Sequence, residues 1–427
     1  IIIYPLFFMN NTLAKTEKKT AYILTLPAVF LVFAIVLFPI FANVWISFKE
    51  VELKDIRIPE PRAKKIVKSI SDENTKIKIL YKLRNSSLLQ EIRNVKFVDK
   101  YPNNLQPINL DQRCEFKKNK LKCEFGNWPA KYRENFQLIF ESKDGSNINK
   151  KKIKLIKPKL NGESDNILLN TKFTLKNFKK VLFENEFIDL FLTTFYYTFF
   201  GTVGSIVFGV MAAQMVNQKF FGRTFMRSVL LFPYVAPVVA LAYTWELLLD
   251  PNSGTLNSLL INYQIIETPI NLLGQKYITV NILGFDFKLR LALTTVIIFE
   301  IWRYFPLAFL FILARLQAVP KELYEAADVD GASPFQKFFK ITLPQITAVI
   351  SILFMIRFIW NFNKFEDVFL LTGGASGTRT LPINVYQQGF AISDIGTGSA
   401  VSIVIVILLL IFMFFYFKLL GKRVDEN

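Results

Sequence analysis

The sequence predicts an all-α polytopic membrane protein with six transmembrane helices and an inserted extracytoplasmic domain that resembles a β-sandwich. Three observations predict this class. The 427-residue chain is 52% hydrophobic, whereas soluble domains are usually about 45–50% apolar. Its apolar residues are clustered in nearly uncharged stretches that can cross a hydrocarbon core about 30 Å thick. A separate polar block after the first stretch contains short β-type runs.

The apolar stretches predict six spans, and the basic residues of the short loops predict their direction. Lys and Arg are enriched in cytoplasmic loops, and every second loop here is basic, so both termini are expected in the cytoplasm of an inner (plasma) membrane protein. Residues 1–20 are predicted to be a cytoplasmic segment; Met9 is a plausible start, which would make 1–8 non-native. The six predicted spans are 21–48, 187–216, 225–249, 290–316, 343–371 and 399–420.

The polar block 49–186 is predicted to be an extracytoplasmic domain. It holds 32 Lys and Arg against 18 Asp and Glu, and so most of the net charge of +18. Long loops translocate largely regardless of charge, and a charge confined to one block does not indicate nucleic-acid binding. The basic surface is either a solvated face or a docking face for an acidic soluble partner. Turn signals separate β-type runs at Lys76–Leu83, Lys96–Val98, Leu121–Phe125, Asn135–Glu141 and Lys152–Ile156, as in a β-sandwich of immunoglobulin-like size.

The two cysteines of the chain, Cys114 and Cys123, bracket a predicted hairpin turn in this block. A disulfide between them is plausible outside the cytoplasm, and two free or buried thiols are the alternative. No metal site is expected, because two cysteines in a chain without histidine do not complete a tetrahedral site.

The loop 317–342 is predicted to form a helix, a tight turn and a second helix. Pro320 suits the first turn of a helix, and Gly331 can adopt the left-handed conformation that ends one. Ser333 and Pro334 then restart the chain as N-cap and first helical residue. The small side chains of Ala326 and Ala327 would let another protein approach Glu325 closely. On the residues alone, an amphipathic connector lying on the membrane is equally plausible.

Ionisable and amide residues inside the predicted spans are costly and usually functional. Glu300 and Arg303 lie three positions apart on one helix and are predicted to form an intramembrane ion pair. The fifth span offers a candidate solute path, because amides and charges bind hydroxyl groups and aromatic rings stack on sugars. A structural ion-pair network is the alternative, in which Arg357 and Lys364 would pair with Glu366 and Asp367. The predicted path residues are Arg357, Trp360, Asn361, Asn363 and Lys364.

The loop closely resembles the EAA motif of ABC-importer permeases. The matching residues are Glu325-Ala-Ala-x-x-Asp-Gly-Ala, followed at the motif's spacing by Phe338, Ile341, Thr342, Leu343 and Pro344. The Asp330-Gly331-Ala332 form is similar to the carbohydrate-uptake branch, the maltose and glycerol-phosphate type. The resemblance covers about 21–50 and 170–420; the long insertion after the first span is a departure from most members.

The resemblance implies a coupling loop for a separate ATPase, made of Glu325, Ala326, Ala327, Asp330, Gly331, Leu343 and Pro344. It also implies that the fifth span lines the solute site. The expected partners are an ABC ATPase dimer, a second EAA-type permease, an extracytoplasmic solute-binding protein and membrane lipid, with no nucleic acid. The chain has no Gly-x4-Gly-Lys-Ser/Thr phosphate loop. It is therefore expected to be no enzyme and to bind no cofactor, with ATP and Mg in the partner ATPase.

The sequence leaves three other functions open. The chain could be an ABC permease for an anionic solute such as a glycerol phosphate. It could be a secondary transporter that uses Glu300 and Arg303 as an ion relay, although such carriers often have internal repeats, which are not seen here. A membrane-tethered receptor would need neither six spans nor the loop.

Overall fold

A computed structural model describes residues 6–70, 75–183, 186–282 and 284–424 of the chain. The chain divides into two compact units. The helical unit takes 1–47, 176–392 and 397–427, and the sheet unit takes 48–175 and 393–396. The sheet unit therefore ends earlier than the predicted boundary at 186. The helix Lys176–Phe183 belongs to the helical unit instead.

Five helical segments of the described chain are long and apolar enough to cross a membrane: Glu17–Ser47, Phe187–Asn217, Leu291–Gln317, Pro334–Phe362 and Ile395–Leu419. Two of them contain π-helical turns, at Phe33–Leu37 and Phe338–Thr342, and a further π-helical turn at Gln387–Ala391 precedes the fifth. The α-helices of the chain are α1 (Leu6–Val32), α2 (Phe38–Ser47), α3 (Lys150–Leu155), α4 (Lys176–Phe183), α5 (Phe187–Asn217), α6 (Arg223–Val235), α7 (Val238–Leu249), α8 (Thr255–Asn262), α9 (Leu291–Gln317), α10 (Glu322–Val329), α11 (Pro334–Lys337), α12 (Leu343–Phe362), α13 (Glu366–Thr372), α14 (Leu381–Tyr386) and α15 (Ile395–Val424).

The predicted third span, 225–249, is not one straight helix. It consists of α6 and α7, which meet at an angle of 93°. Pro237 has no backbone N–H and forces the preceding residue out of the helical conformation. Ala236 accordingly has an extended backbone, with ψ of 145°. The pair counts as a sixth candidate span only if both halves together cross the membrane.

The predicted fifth span, 343–371, is also interrupted. Helix α12 ends at Phe362, Asn363 leaves helical geometry, and α13 begins at Glu366. Three polar residues in four positions, from Asn361 to Lys364, precede the break. The turn brings the acidic first residues of α13 back towards the end of α12, which matters for the polar cluster described below.

The helices α5 and α9 cross closely because a glycine lies at their contact. A Cβ atom on Gly209 would lie 2.7 Å from the Ala308 Cβ and 2.9 Å from the backbone nitrogen of Phe309. Small residues let helix backbones approach in a membrane, where packing replaces the hydrophobic driving force. A buried apolar cluster from α5, α9 and α12, including Phe309 and Leu353, surrounds this crossing.

Replacing Gly209 by Ala is expected to destabilise the helical unit by about 1–3 kcal/mol, the usual cost of an overpacked core. The added methyl group meets backbone atoms, which cannot turn aside. Thermal unfolding of the purified chain in detergent measures the change. Gly389→Ala is the matched control, since no atom lies within 4 Å of the added Cβ. Equal midpoints for the two variants would contradict the close crossing.

Within the described residues, the sheet unit contains two four-stranded antiparallel sheets. Their strand orders are β1-β2-β7-β4 and β5-β6-β3-β8. A separate two-stranded hairpin, β9-β10, lies in the helical unit. The strands are β1 (Pro61–Ser69), β2 (Lys76–Asn85), β3 (Ile92–Lys100), β4 (Leu105–Pro107), β5 (Cys114–Lys117), β6 (Lys120–Trp128), β7 (Arg133–Ser142), β8 (Lys159–Glu163), β9 (Ile278–Ile282) and β10 (Phe285–Leu289).

One hydrophobic cluster is shared by the two four-stranded sheets. Tyr81 of β2 packs edge-on against Phe97 of β3, with ring centroids 4.9 Å apart. Both strands alternate buried and exposed residues, as expected for sheets with one face on a core. Cys114 and Cys123 occupy directly opposed positions of β5 and β6, where the structure joins them by a disulfide.

One predicted strand of this unit is wrong. Residues Lys152–Ile156 fall largely in the helix α3 rather than in a strand. Asn149 caps that helix, since its side chain accepts a hydrogen bond from the backbone N–H of Lys152 at 3.2 Å. The alternation of Lys with apolar residues suggested a strand, but Ile153 alone reaches the core.

Candidate functional site

The loop between α9 and α12 folds as a helix, a glycine turn and a second short helix, as predicted. Helix α10 ends where Gly331 adopts φ of +72°, a left-handed conformation that favours glycine. The backbone N–H of Ala332 then donates to the carbonyl of Ala327 at 2.9 Å, and that of Gly331 donates to the carbonyl of Asp328 at 3.1 Å. These bonds satisfy carbonyls left open at the helix end.

The second half of the loop is fixed by local capping. The Ser333 hydroxyl accepts from the backbone of Gln336 at 3.3 Å, and the Gln336 side chain accepts from the backbone of Ser333 at 2.8 Å. This reciprocal arrangement satisfies two N–H groups at the start of α11. An ion pair between Lys337 and Asp328 joins α11 to α10. The loop is therefore a preformed element rather than a flexible connection.

The tip of this loop is open on its outer side. Neither α10 nor α11 buries any residue. Glu325, Ala326, Asp330, Gly331 and Pro344 are exposed, while Ala327 and Leu343 are half-buried. The tip also exposes 88% of Val329 and 78% of Phe335. Large apolar side chains on a preformed, exposed turn are typical of a surface that another protein covers.

A cluster of charged side chains lies inside the helical unit. Glu300 of α9 is fully buried, and one of its carboxylate oxygens accepts from Arg357 Nη2 of α12 at 2.5 Å. Its other oxygen accepts from the Tyr197 hydroxyl of α5 at 3.0 Å. This carboxylate therefore connects three helices. Because both partners are themselves buried, the contact is shielded from solvent.

The predicted ion pair between Glu300 and Arg303 is wrong. Arg303 instead donates to Asp367 of α13 at 2.6 Å, and Asp367 is fully buried. Positions three apart on a helix are neighbours, but they differ by roughly 60° in direction. Glu300 faces α5 and α12, whereas Arg303 faces α13. The long-range partners outcompete the local one because the break after α12 brings Asp367 within reach.

Tyr304 lies at the centre of the cluster. Its hydroxyl accepts from Arg303 Nη1 at 2.8 Å and also from Lys364. The guanidinium of Arg357 lies 4.2 Å from the centre of its ring, within the range of a cation–π contact. Lys364 in turn lies 3.7 Å from Asp367. Three cations thus surround two buried carboxylates, and a third carboxylate, that of the exposed Glu366, lies 4.0 Å from Lys364.

The predicted solute-path residues divide between the interior and the surface. Asn361 is buried and donates to the Thr202 hydroxyl at 3.2 Å, but its Oδ1 has no hydrogen-bond partner within the described ranges. Trp360 is 52% exposed, and Asn363 is exposed and donates to the carbonyl of Ile359. Asn363 also borders a largely apolar groove of about 390 Å³ with Phe365, Tyr386 and Phe390.

Sequence reasoning missed the two buried tyrosines of the cluster. Tyr197 and Tyr304 are two of 15 tyrosines in a chain with 44 phenylalanines, so neither is conspicuous. Asp367, in contrast, was predicted as one possible partner of Lys364, because it follows the polar run at the end of α12. Acidic residues there need cationic partners if they are buried.

Residues 205–426 match the model of the binding-protein-dependent transport system inner membrane component. The chain belongs to this family. The match covers the loop between α9 and α12 and the residues of the polar cluster from α9 onwards. It leaves out the sheet unit except for residues 393–396. The prediction of an importer permease is thereby confirmed.

Named relatives agree with the family. The chain is 34% identical over 229 residues to the inner membrane ABC transporter permease protein YcjO of Escherichia coli, which covers 54% of this chain and 73% of that one. It is 32% identical to the trehalose/maltose transport system permease protein MalF of Thermococcus litoralis, over the same shares. It is 29% identical to the sn-glycerol-3-phosphate transport system permease protein UgpA of Yersinia pestis, over 60% and 83%.

Among solved structures, a chain of a bacterial ABC transporter involved in alginate import has the same fold. The TM-score is 0.52 at 21% identity, and the match covers 60% of this permease and 85% of that chain. The permease is thus a multi-pass membrane protein that works with a solute-binding protein and an ABC ATPase. Its role is transport.

Proposed function

We propose that this permease imports a sugar or sugar-like solute that an extracytoplasmic binding protein delivers. The observation that carries the proposal is the preformed, exposed loop between α9 and α12, found in a chain whose relatives include a trehalose/maltose permease. A transporter that does not bind a separate ATPase does not require a rigid cytoplasmic turn that exposes Val329 and Phe335.

The proposed arrangement has six spans, with α6 and α7 together forming the third. Both termini and the loop lie in the cytoplasm, as the basic short loops favour. The sheet unit is then an extracytoplasmic β-sandwich, supported by two sheets on a common core and by the joined Cys114 and Cys123.

Coupling proceeds through the loop. The exposed Glu325 and the small Ala326 enter a cleft of an ATPase subunit, and closure of the ATPase dimer moves the loop. ATP and Mg bind in that partner, since this chain lacks a phosphate loop. A second EAA-type permease completes the pathway. In the first span, Glu17–Ser47, no residue of the most apolar 18-residue stretch is buried against the rest of this chain. Lipid or the second permease can therefore cover this helix.

The solute path runs beside the end of α12. Asn361 supports this placement, because an amide oxygen without a partner in the described chain can accept from a solute hydroxyl. Trp360 and Asn363 lie on the open side, where a ring can stack against a sugar. Arg357 is paired with Glu300 and Lys364 lies beside Asp367, so their first role is to hold the helices together.

An anionic solute such as a glycerol phosphate is the second candidate. The surroundings of Lys364 favour it: this cation lies 3.7 Å from Asp367 and 4.0 Å from the exposed Glu366, so a bound phosphate or carboxylate can take the place of Glu366 beside it. A relative that transports sn-glycerol-3-phosphate is consistent with this alternative.

One reconstitution tests both candidates. The chain is co-expressed with its ATPase, a second permease and the binding protein, and ATP hydrolysis is measured in proteoliposomes. Loaded binding protein should stimulate hydrolysis at least severalfold, with neutral sugars active if the first proposal holds and sugar phosphates if the second does. Failure of any ATPase to co-purify with the chain would refute the importer assignment of this loop.

A further inference from the structure

The outer face of the sheet β1-β2-β7-β4 carries a row of three arginines. Arg62 on β1 lies directly opposite Arg84 on β2, which lies directly opposite Arg133 on β7. All three side chains are exposed, while the adjacent Leu83 is 2% exposed on the inner face. Neighbouring strands are about 4.8 Å apart, so the row presents three guanidinium groups in regular succession.

A second basic row runs beside the first. Lys64 lies opposite Lys82 on the same exposed face, and Lys82 lies opposite the neutral Asn135. Like charges in directly opposed positions destabilise a sheet. None of the five cations forms an ion pair or a side-chain hydrogen bond with any residue of the described chain. Among the described residues, the sheet therefore retains a repulsive arrangement that no ion pair neutralises.

Two clefts on this face share the arginine row. One has a volume of about 500 Å³ and the other about 680 Å³, and Arg62, Arg84 and Arg133 line both. The first cleft adds Arg57 and Lys131 to the row. The acidic residue that lines the first cleft is Glu60. The acidic residue that lines the second cleft is Glu134, which already pairs with Arg113 at 2.7 Å. The two clefts form a continuous basic groove.

We propose that this groove binds a linear polyanion, specifically an acidic polysaccharide. Guanidinium groups pair with carboxylate, sulfate or phosphate through two parallel hydrogen bonds. A succession of cations along two adjoining clefts suits a polymer that carries charge on repeated units rather than a single small anion. The described lining of the clefts includes no aromatic ring, which disfavours single-stranded nucleic acid, whose bases stack on such rings.

The same lining distinguishes a polysaccharide from an acidic protein. Protein interfaces have an apolar centre surrounded by a polar rim and bury about 800 Å² on each partner. The larger cleft offers Ala63 and Leu83 as its apolar lining residues, and Leu83 is almost fully buried. The smaller cleft adds the exposed Ile58 and Leu88, and two such side chains are far too few for the apolar centre of an interface of that size. Charge complementarity without an apolar centre is better suited to a hydrated polymer.

The test uses the full chain in nanodiscs of zwitterionic lipid and fluorescent heparin oligosaccharides as probe, with binding followed by anisotropy at several salt concentrations. The triple variant Arg62→Gln, Arg84→Gln, Arg133→Gln should bind at least tenfold more weakly. Each lost contact should also reduce the slope of log affinity against log salt by roughly 0.7–0.9. The matched control is Lys151→Gln, Lys152→Gln, Lys154→Gln on α3, which removes equal charge from another exposed site and should change affinity less than twofold.

The thermal midpoint of the arginine variant should equal or exceed that of the parent, because repulsion is removed; this checks that it folds. Equal weakening by the two triple variants would mean that overall charge alone attracts heparin, and would overturn the proposal. Neutral dextran binding as tightly as heparin would also overturn it. So would an acidic binding protein that requires the arginines while heparin does not.

Discussion

Changing Glu325 to Lys is expected to uncouple the permease from its ATPase. Glu325 is exposed, forms no side-chain hydrogen bond or ion pair within the described chain, and lies on a preformed helix next to the small Ala326. Reversing a charge that a partner buries costs about 2–5 kcal/mol, which corresponds to more than a tenfold loss of affinity. Binding-protein-stimulated ATP hydrolysis in proteoliposomes should fall by at least that factor.

Glu322→Lys provides the matched control for this result. Glu322 is equally exposed and occupies the first turn of the same helix, but it lies outside the matching motif. The Glu322→Lys variant should hydrolyse ATP at a rate within about twofold of the parent, and both variants should keep the parental thermal midpoint. Equal loss in the two variants would indicate a general electrostatic effect, and an unaffected Glu325→Lys transporter would refute the coupling role.

Breaking the buried pair of Glu300 and Arg357 is expected to have the largest effect on stability. Arg357→Met leaves the Glu300 carboxylate buried without its paired guanidinium, while the Tyr197 hydroxyl still donates to it. Loss of one partner of a buried ion pair typically costs about 3–5 kcal/mol, because an uncompensated charge remains. The purified variant should unfold well below the parent, and its yield from membranes should fall.

A double replacement separates this electrostatic cause from lost packing. Glu300→Gln together with Arg357→Met removes both charges and keeps a hydrogen-bond acceptor for Tyr197. It should recover most of the stability that Arg357→Met loses. Trp360→Leu, on the exposed side of the same helix, serves as the control and should have little effect on the midpoint. A double variant less stable than either single one would show that charge pairing is not the cause.

Local features of the sequence predicted the spans and the loop well. Hydropathy depends only on consecutive residues, so Phe187–Asn217 and Leu291–Gln317 fall within one residue of their predicted ends. The turn at Gly331 and the cap at Ser333 are likewise specified by neighbours in the chain. The break at Pro237 was available from the same kind of reasoning, and the predicted span 225–249 disregarded it.

The polar cluster could not be predicted in the same way. Its partners are separated by 57 positions for Glu300 and Arg357 and by 64 for Arg303 and Asp367. The pairing depends on how each helix is rotated about its axis, and spans that are apolar all round show little preferred face. The split between buried Asn361 and exposed Trp360 has the same origin. In the sheet unit, the arginine row required the strand register, which alternation alone does not supply.

The loop's two flanking helices are joined to each other at both ends. Near the loop, Arg315 of α9 donates to the backbone and side-chain oxygens of Gln345 on α12, each at 3.0 Å. About 22 Å further along α9, by the helical rise, Glu300 holds Arg357 of the same partner helix. Two separated attachments prevent the helices from sliding or twisting past one another. Under the proposed coupling role, a displacement applied at the loop would therefore move both helices together as one rigid unit.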